Sequence, residues 1–198
     1  MKVSALRLAG LVAALALVPQ AAFAHTFGAE GYGFAHGFAH PVGGWDHLLA
    51  MIAVGLWAAQ RGGQAFWTLP LAFVTSMILG GALGMSGVEL PQVELGIAGS
   101  VVALGALITV QARFPLALCL SIVGGFGLFH GGAHGAEMPT AAAPVLYALG
   151  FALSTALLHA TGVAAVVVAR FAREGVAQWV VRGAGFAMSL GGVALVAA

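Results

Sequence analysis

Six long apolar runs, separated by short connections, follow an apolar amino-terminal segment. They lie near residues 43–60, 65–85, 92–111, 114–131, 143–169 and 178–197. Each run is close to the about 20 residues that an α-helix needs to cross the hydrocarbon core of a bilayer. The pattern therefore predicts an all-α, polytopic membrane protein with six transmembrane helices.

The amino-terminal segment, residues 1–24, has the layout of a cleavable signal peptide. It begins with Lys2 and Arg7, continues through a short apolar stretch and ends in an Ala-Phe-Ala sequence. Small residues at this spacing are typical of a signal-peptidase site, whereas an uncleaved first transmembrane helix is the competing interpretation. We expect cleavage after residue 24, export of the new amino terminus, and a permease domain over 25–198.

Composition agrees with a membrane protein and removes several functions. Hydrophobic residues make up 61% of the chain and charged residues 7%, with a mean hydropathy of +1.04. Lys2 is the only lysine, so a P-loop lysine is absent and no nucleotide partner is expected. A net charge of +1 offers no basic patch for nucleic acid. The single cysteine, Cys119, cannot form a disulfide within one chain and is expected to be a small core residue.

The arginines predict the orientation in the membrane. Beyond residue 60 they lie in the first and third connections and around the fifth: Arg61, Arg113, Arg170, Arg173 and Arg182. Positively charged connections stay in the cytoplasm, which places both mature termini outside. Trp57, Trp67 and Trp179 lie near the cytoplasmic helix ends and are expected to anchor them at the interface.

Small residues at helix-contact spacing predict where transmembrane helices pack. The pairs are Gly80 with Gly84 and Gly96 with Ser100. Residues of this size let two helix backbones approach closely in a membrane. We interpret both pairs as packing sites.

The first of two polar clusters, HPVGGWDH at residues 40–47, opens the first run on the outer side. Pro41 suits the first position of a helix, with His40 as its cap. His47 would then lie seven residues later on the same face. Asp46 is placed to orient a ligand or to bind an ion directly.

The second cluster, FHGGAHGAE at residues 129–137, closes the fourth run on the same side. His130, His134 and Glu137 fall within an arc of about 60° if the helix continues through the intervening glycines. The two clusters can then share one site, provided that the first and fourth helices are neighbours.

Imidazoles with one or two carboxylates and no thiolate suit nickel, cobalt or zinc, and suit magnesium or calcium poorly. The alternative for any single histidine at a membrane interface is a hydrogen bond to a headgroup or a backbone carbonyl. Four further residues are weaker candidates: His25, His36, Glu94 and His159.

Two of these weaker candidates have particular surroundings. His36 lies in a Gly-rich aromatic segment that we expect to be flexible. His159, near the middle of the fifth run, is either a deeper position on a permeation or proton path or the donor of an interhelical hydrogen bond.

His40-Pro41, Gly44 and Asp46-His47 resemble the HPxxGxDH signature of the HupE/UreJ family, hydrogenase- and urease-linked nickel permeases. Residues 129–137 are similar to its second signature, FHGxAHGxE. The resemblance implies a non-enzymatic permease in which His40, Asp46, His47, His130, His134 and Glu137 are functional. It also implies that Ni²⁺ or Co²⁺ is a substrate taken up across a bacterial inner membrane and not a tightly bound cofactor.

Two other functions use the same ligands. A membrane metallohydrolase would hold zinc and an activated water, with Asp46 or Glu137 as the base. A periplasm-facing sensor or accessory protein would bind the ion without moving it. The expected partners are a divalent metal ion and the lipid bilayer, and the sequence is compatible with a homo-oligomer.

Overall fold

The structure, a computed structural model, describes residues 33–136, 138, 143–172 and 174–197. Within this part of the chain it consists of seven α-helices and contains no strand. The helices are α1 (Phe34–Gly43), α2 (Trp45–Arg61), α3 (Ala65–Met85), α4 (Val93–Thr109), α5 (Leu116–Ala136), α6 (Pro144–Ala172) and α7 (Glu174–Ala197).

The fold confirms an all-α polytopic membrane protein. Helices α3, α5, α6 and α7 are each long and apolar enough to cross a bilayer. Helices α1 and α2 meet that test together, but the chain bends by 88° between them, and α4 is an apolar helix of 17 residues. The count of six spans therefore stays a prediction. The proposed signal peptide, 1–24, lies outside the described residues.

The start of the first predicted helix is wrong. Pro41 lies inside α1, so it is not the first residue of a helix and His40 is not a cap. The helix break comes at Gly44, whose backbone is extended at φ −118° and ψ 131°. His40 and His47 consequently belong to two helices at a steep angle and do not share a face of one helix.

Helix α1 replaces the flexible segment that was expected around His36. It packs against α6 because glycines on both helices remove the side chains between them. A Cβ added to Gly37 would collide with the backbone of Tyr147, and one added to Gly150 would collide with the backbone of Phe34. Tertiary contact thus supplies the order that local composition did not predict.

Helices α3 and α5 form the most extensively packed pair among the described residues. The predicted packing role of Gly80 and Gly84 is confirmed, since a Cβ on either would collide with the backbone of α5. The reciprocal surface of α5 is a row of glycines spaced by four residues, at Gly127, Gly131 and Gly135, which lie against the backbone of α3. The second cluster is therefore carried by a helix held at backbone contact.

Helix α2 runs through the centre of the bundle and packs against α3, α4, α6 and α7. Trp57 is fully buried in it, so its predicted role as an interface anchor is wrong. Trp67 and Trp179 are 74% and 63% exposed, as anchors would be. The expectation that Cys119 is a core residue is confirmed, because it is buried and free.

One end of the bundle collects guanidinium groups. Three side chains there donate hydrogen bonds to backbone carbonyls of neighbouring segments, at 2.7–3.0 Å: Arg61, Arg170 and Arg182. Asp46 and His47 lie at the opposite end of α2, about 20 Å away at 1.5 Å per residue. One end of the bundle thus carries guanidinium groups, and the opposite end carries a carboxylate and imidazole rings.

Candidate metal-binding site

Four imidazole rings from three helices form a continuous row. His40 of α1 lies with its ring centroid 4.5 Å from that of His134, on α5. His134 is 4.3 Å from His47 of α2, and His47 is 4.7 Å from His130, one turn deeper on α5. His47, His130 and His134 are all buried. The structure therefore brings the histidines of both sequence clusters together.

The histidine rings bridge two helices whose backbones are not closely packed. Within the described residues, α2 does not pack extensively against α5, although α3 packs against both of them. His47 reaches across this gap to both His130 and His134. The contact between these two helices, on which a shared site depends, is thus made by the histidine side chains.

Asp46 orients the ring of His47. Its Oδ1 atom lies 2.6 Å from Nδ1 of His47 and also accepts the backbone N–H of His47 at 2.7 Å. An ionised carboxylate only accepts hydrogen bonds, so Nδ1 carries the proton. The Nε2 atom of His47 is buried without a hydrogen-bond partner. This Nε2 atom, with its free lone pair, is therefore the one that the His47 ring offers to a metal.

Ser100 of α4 fixes the protonated nitrogen of His130, as Asp46 does for His47. The serine hydroxyl donates to the backbone carbonyl of Ile97 at 2.6 Å, so its single proton is used. Nε2 of His130 lies 3.0 Å from the same oxygen and must be the donor in that contact. Nδ1 of His130 is then the unprotonated atom, and it is buried without a partner.

His134 sits at the centre of the row, with both ring nitrogens buried and unpartnered. Its ring packs against Phe151 of α6 at 4.5 Å. A cavity of about 140 Å³ adjoins it, and the wall of this cavity includes three thioethers, from Met77, Met85 and Met138. The ring is accordingly held between an aromatic wall and an apolar opening.

Phe73 separates the row from a deeper histidine. Its ring centroid lies 5.4 Å from that of His130 and 5.3 Å from that of His159. His159 is buried, and neither ring nitrogen has a partner among the described residues. The interhelical hydrogen bond considered for His159 is therefore absent there. Thr155, one turn earlier on α6, is also fully buried and contacts Met77.

The remaining candidates lie apart from the row or outside the described residues. His36 extends it outward, 6.1 Å from His40 and 6.0 Å from Tyr147 between ring centroids. Glu94 is exposed in the first turn of α4, and no contact joins it to the histidines. His25 and Glu137 fall outside the described residues.

The histidines form a row and not a closed cage. Among the described residues, no three histidine, cysteine, aspartate or glutamate side chains surround one point in the geometry of a metal site. Three of the rings, those of His47, His130 and His134, instead present unpartnered nitrogens beside a neighbouring ring. Neutral imidazole nitrogen is a good ligand for nickel, cobalt and zinc and a poor one for magnesium or calcium.

Sequence reasoning missed the residues that surround the histidines. Ser100 was interpreted only as a packing residue, and no motif singled out Phe73, Tyr147 or Phe151. The available signal for Ser100 was a hydroxyl within an apolar run, where an unpaired polar group is costly. The aromatic residues carried no such signal, because an aromatic ring within an apolar helix needs no polar partner, and phenylalanine also occurs in α1, α3, α5, α6 and α7.

Comparisons with known proteins agree with these motifs. The family model described as HupE / UreJ protein matches residues 13–195. Protein HupE of Rhizobium leguminosarum bv. viciae is 44% identical over 184 residues, which cover 93% of this chain and 94% of that protein. No solved structure matches the chain. The match extends over nearly the whole sequence, and the chain therefore belongs to the HupE/UreJ family.

Proposed function

We propose that this protein takes up a divalent transition metal across a bacterial inner membrane, with Ni²⁺ as the main substrate and Co²⁺ as the second candidate. The observation that carries the proposal is the row of four histidine rings that leads from α1 into the bundle, with unpartnered nitrogens on His47, His130 and His134. Family membership supports the same function, since the resemblance implies a nickel permease that serves hydrogenase or urease assembly.

A row of ligands is suited to transport because an ion must be able to leave as well as bind. Several adjacent positions of weak affinity let a cation move from one to the next without being bound too tightly at any of them. In this proposal His40 and His134 receive the ion outside, and His47 and His130 carry it inward. His159, beyond Phe73, is the next position with free ring nitrogens.

The membrane potential supplies the driving force. An inside-negative potential of 100 mV favours the movement of one charge by about 2.3 kcal/mol, and so of a dication by about 4.6 kcal/mol. This direction requires the histidine end outside and the arginine end in the cytoplasm, with both mature termini in the periplasm. No nucleotide is then needed to drive uptake.

Flux of radioactive nickel into proteoliposomes tests the proposal. We expect saturable uptake that depends on an inside-negative potential, and its loss by tenfold or more, roughly the effect of losing a metal ligand or its partner, in His47→Ala and His130→Ala. Retained metal binding without flux in the unmodified protein would instead indicate an accessory metal-binding protein. Turnover of a hydrolysable substrate without flux would indicate a metallohydrolase.

Carboxylate variants provide a matched comparison at the same end of the bundle. Asp46→Asn keeps the size of the side chain but removes the charge that holds the proton on Nδ1 of His47. Glu89→Gln removes an exposed carboxylate from the α3–α4 connection. We expect Asp46→Asn to lose most uptake and Glu89→Gln to retain it, and equal losses would show that only general surface charge matters.

A further inference from the structure

The arginine end of the bundle contains a second cavity, of about 150 Å³, between the ends of α2, α4 and α6 and the start of α7. Its polar lining consists of guanidinium and carboxamide groups: Gln60, Arg61, Gln111, Arg113, Arg170 and Gln178. Among the described residues that line it there is no carboxylate. The cavity therefore concentrates three positive charges that no lining acid neutralises.

Two buried atoms at this cavity lack hydrogen-bond partners. Arg61 uses its Nη2 atom to donate to the carbonyl of Phe114 at 2.7 Å, but its Nε–H has no acceptor. Gln60 donates from Nε2 to the carbonyl of Ile108 at 3.0 Å, which fixes the orientation of its amide and leaves Oε1 without a donor. A buried polar group without a partner carries a desolvation cost, so both atoms favour a ligand or ordered water.

We infer that this cavity binds a phosphate oxyanion, either free phosphate or the headgroup of an anionic phospholipid. Guanidinium groups bind phosphate oxygens through paired, charge-assisted hydrogen bonds, which the orphaned Nε–H of Arg61 would join. The free oxygen of Gln60 is available to accept a hydrogen bond from a hydroxyl group of the same ligand. Monohydrogen phosphate carries such a hydroxyl, as does a glycerol headgroup, whereas sulfate carries none at neutral pH.

This inference is independent of the proposed transport, because the cavity lies at the end of the bundle opposite the histidine row. Arg113 and Arg170 are exposed at its mouth, so a ligand can reach the site from solvent or from the headgroup layer. Arg182 offers a control at the same end. It donates to the carbonyl of Thr109 and stacks over Trp179 at 4.6 Å, and it does not line the cavity.

The test measures binding to the purified full-length protein. Titration calorimetry in detergent uses inorganic phosphate and then sulfate, and native mass spectrometry uses phosphatidylglycerol against phosphatidylcholine. Each is repeated with Arg113→Gln and with the control Arg182→Gln. Thermal unfolding of both variants verifies that they remain folded.

We expect phosphate or phosphatidylglycerol to bind saturably to the unmodified protein and to Arg182→Gln, and roughly tenfold more weakly to Arg113→Gln, as for loss of one charge-assisted hydrogen bond. Sulfate should bind more weakly than phosphate. Binding of phosphate alone identifies the free ion as the ligand, and binding of the lipid alone identifies the headgroup. Absence of both, or equal binding by Arg113→Gln, would overturn the inference.

Discussion

Ser100→Ala removes the oxygen that accepts the Nε2 proton of His130. In the protein as it stands, the hydroxyl is committed to the carbonyl of Ile97, so the serine forces His130 to carry its proton on Nε2 and to leave Nδ1 bare. Without that oxygen the proton can occupy either nitrogen, and Nδ1 of His130 is no longer held ready for a metal. Ser100 is in this respect a positioning residue.

The size of the effect can be worked out in two ways. A buried N–H left without an acceptor costs about 1–3 kcal/mol. Loss of a hydrogen-bond partner behind a metal-binding histidine weakens binding by about 10–100-fold, which is about 1.4–2.7 kcal/mol. The two ranges overlap, so we expect nickel binding and uptake at limiting nickel to fall by about tenfold or more.

Two measurements test Ser100→Ala: nickel uptake and the protonation of the histidine rings. Radioactive nickel uptake by proteoliposomes gives the functional loss, and ¹⁵N NMR of histidine-labelled protein distinguishes an Nε2-protonated ring from an Nδ1-protonated one. Ser189→Ala is the matched control. It removes a hydroxyl of α7 that donates to the carbonyl of Val102 on α4 and touches no histidine.

We expect that Ser100→Ala, and not Ser189→Ala, alters the histidine spectrum. Unchanged uptake together with an unchanged tautomer would refute the assigned role of Ser100. An equal loss of uptake in Ser189→Ala would show that the effect comes from loosened helix packing.

Glycine substitutions test the packing and the Asp46–His47 pair. Gly131→Ala places a Cβ against the backbone of α3, and we expect it to destabilise the protein by about 1–3 kcal/mol in thermal unfolding, whereas Gly125→Ala, with nothing within 4 Å of the added atom, should be neutral or stabilise it by up to about 1 kcal/mol. Gly44→Ala places its Cβ 2.6 Å from Oδ1 of Asp46, at the mobile end of a side chain. It should therefore reduce nickel uptake about tenfold without lowering thermal stability, while Gly43→Ala, whose Cβ meets nothing within 4 Å, leaves uptake unchanged. Equal melting temperatures for the first pair, or equal uptake for the second, would contradict these expectations.

Much of the fold is predictable from the sequence because membrane helices are long and apolar. The predicted run 65–85 coincides with α3, and the run 143–169 overlaps α6 in all but its first residue. The meeting of the two histidine clusters also followed from arginine placement, since that pattern put both clusters on one side of the membrane. Long-range consistency of this kind needs no knowledge of side-chain packing.

The details of the site depended on contacts that the sequence does not display. Pro41 fits a helix start and also tolerates a position near a helix end, and only the packing of α1 on α6 decides between them. Glycines of α5 that made its continuation uncertain are the residues that let it lie on α3. The role of Ser100 required knowing that His130 lies beside it, 30 residues away in sequence.

The glycine contact between α3 and α5 also limits how the protein can move. Two helices that touch backbone to backbone have no layer of side chains between them that could change rotamers and let them slide. His130 and His134 therefore belong to a rigid unit that includes Phe73. Glycine contacts join α1 and α2 to α6 in the same way, so any alternation between outward and inward access must displace these three helices together relative to that unit.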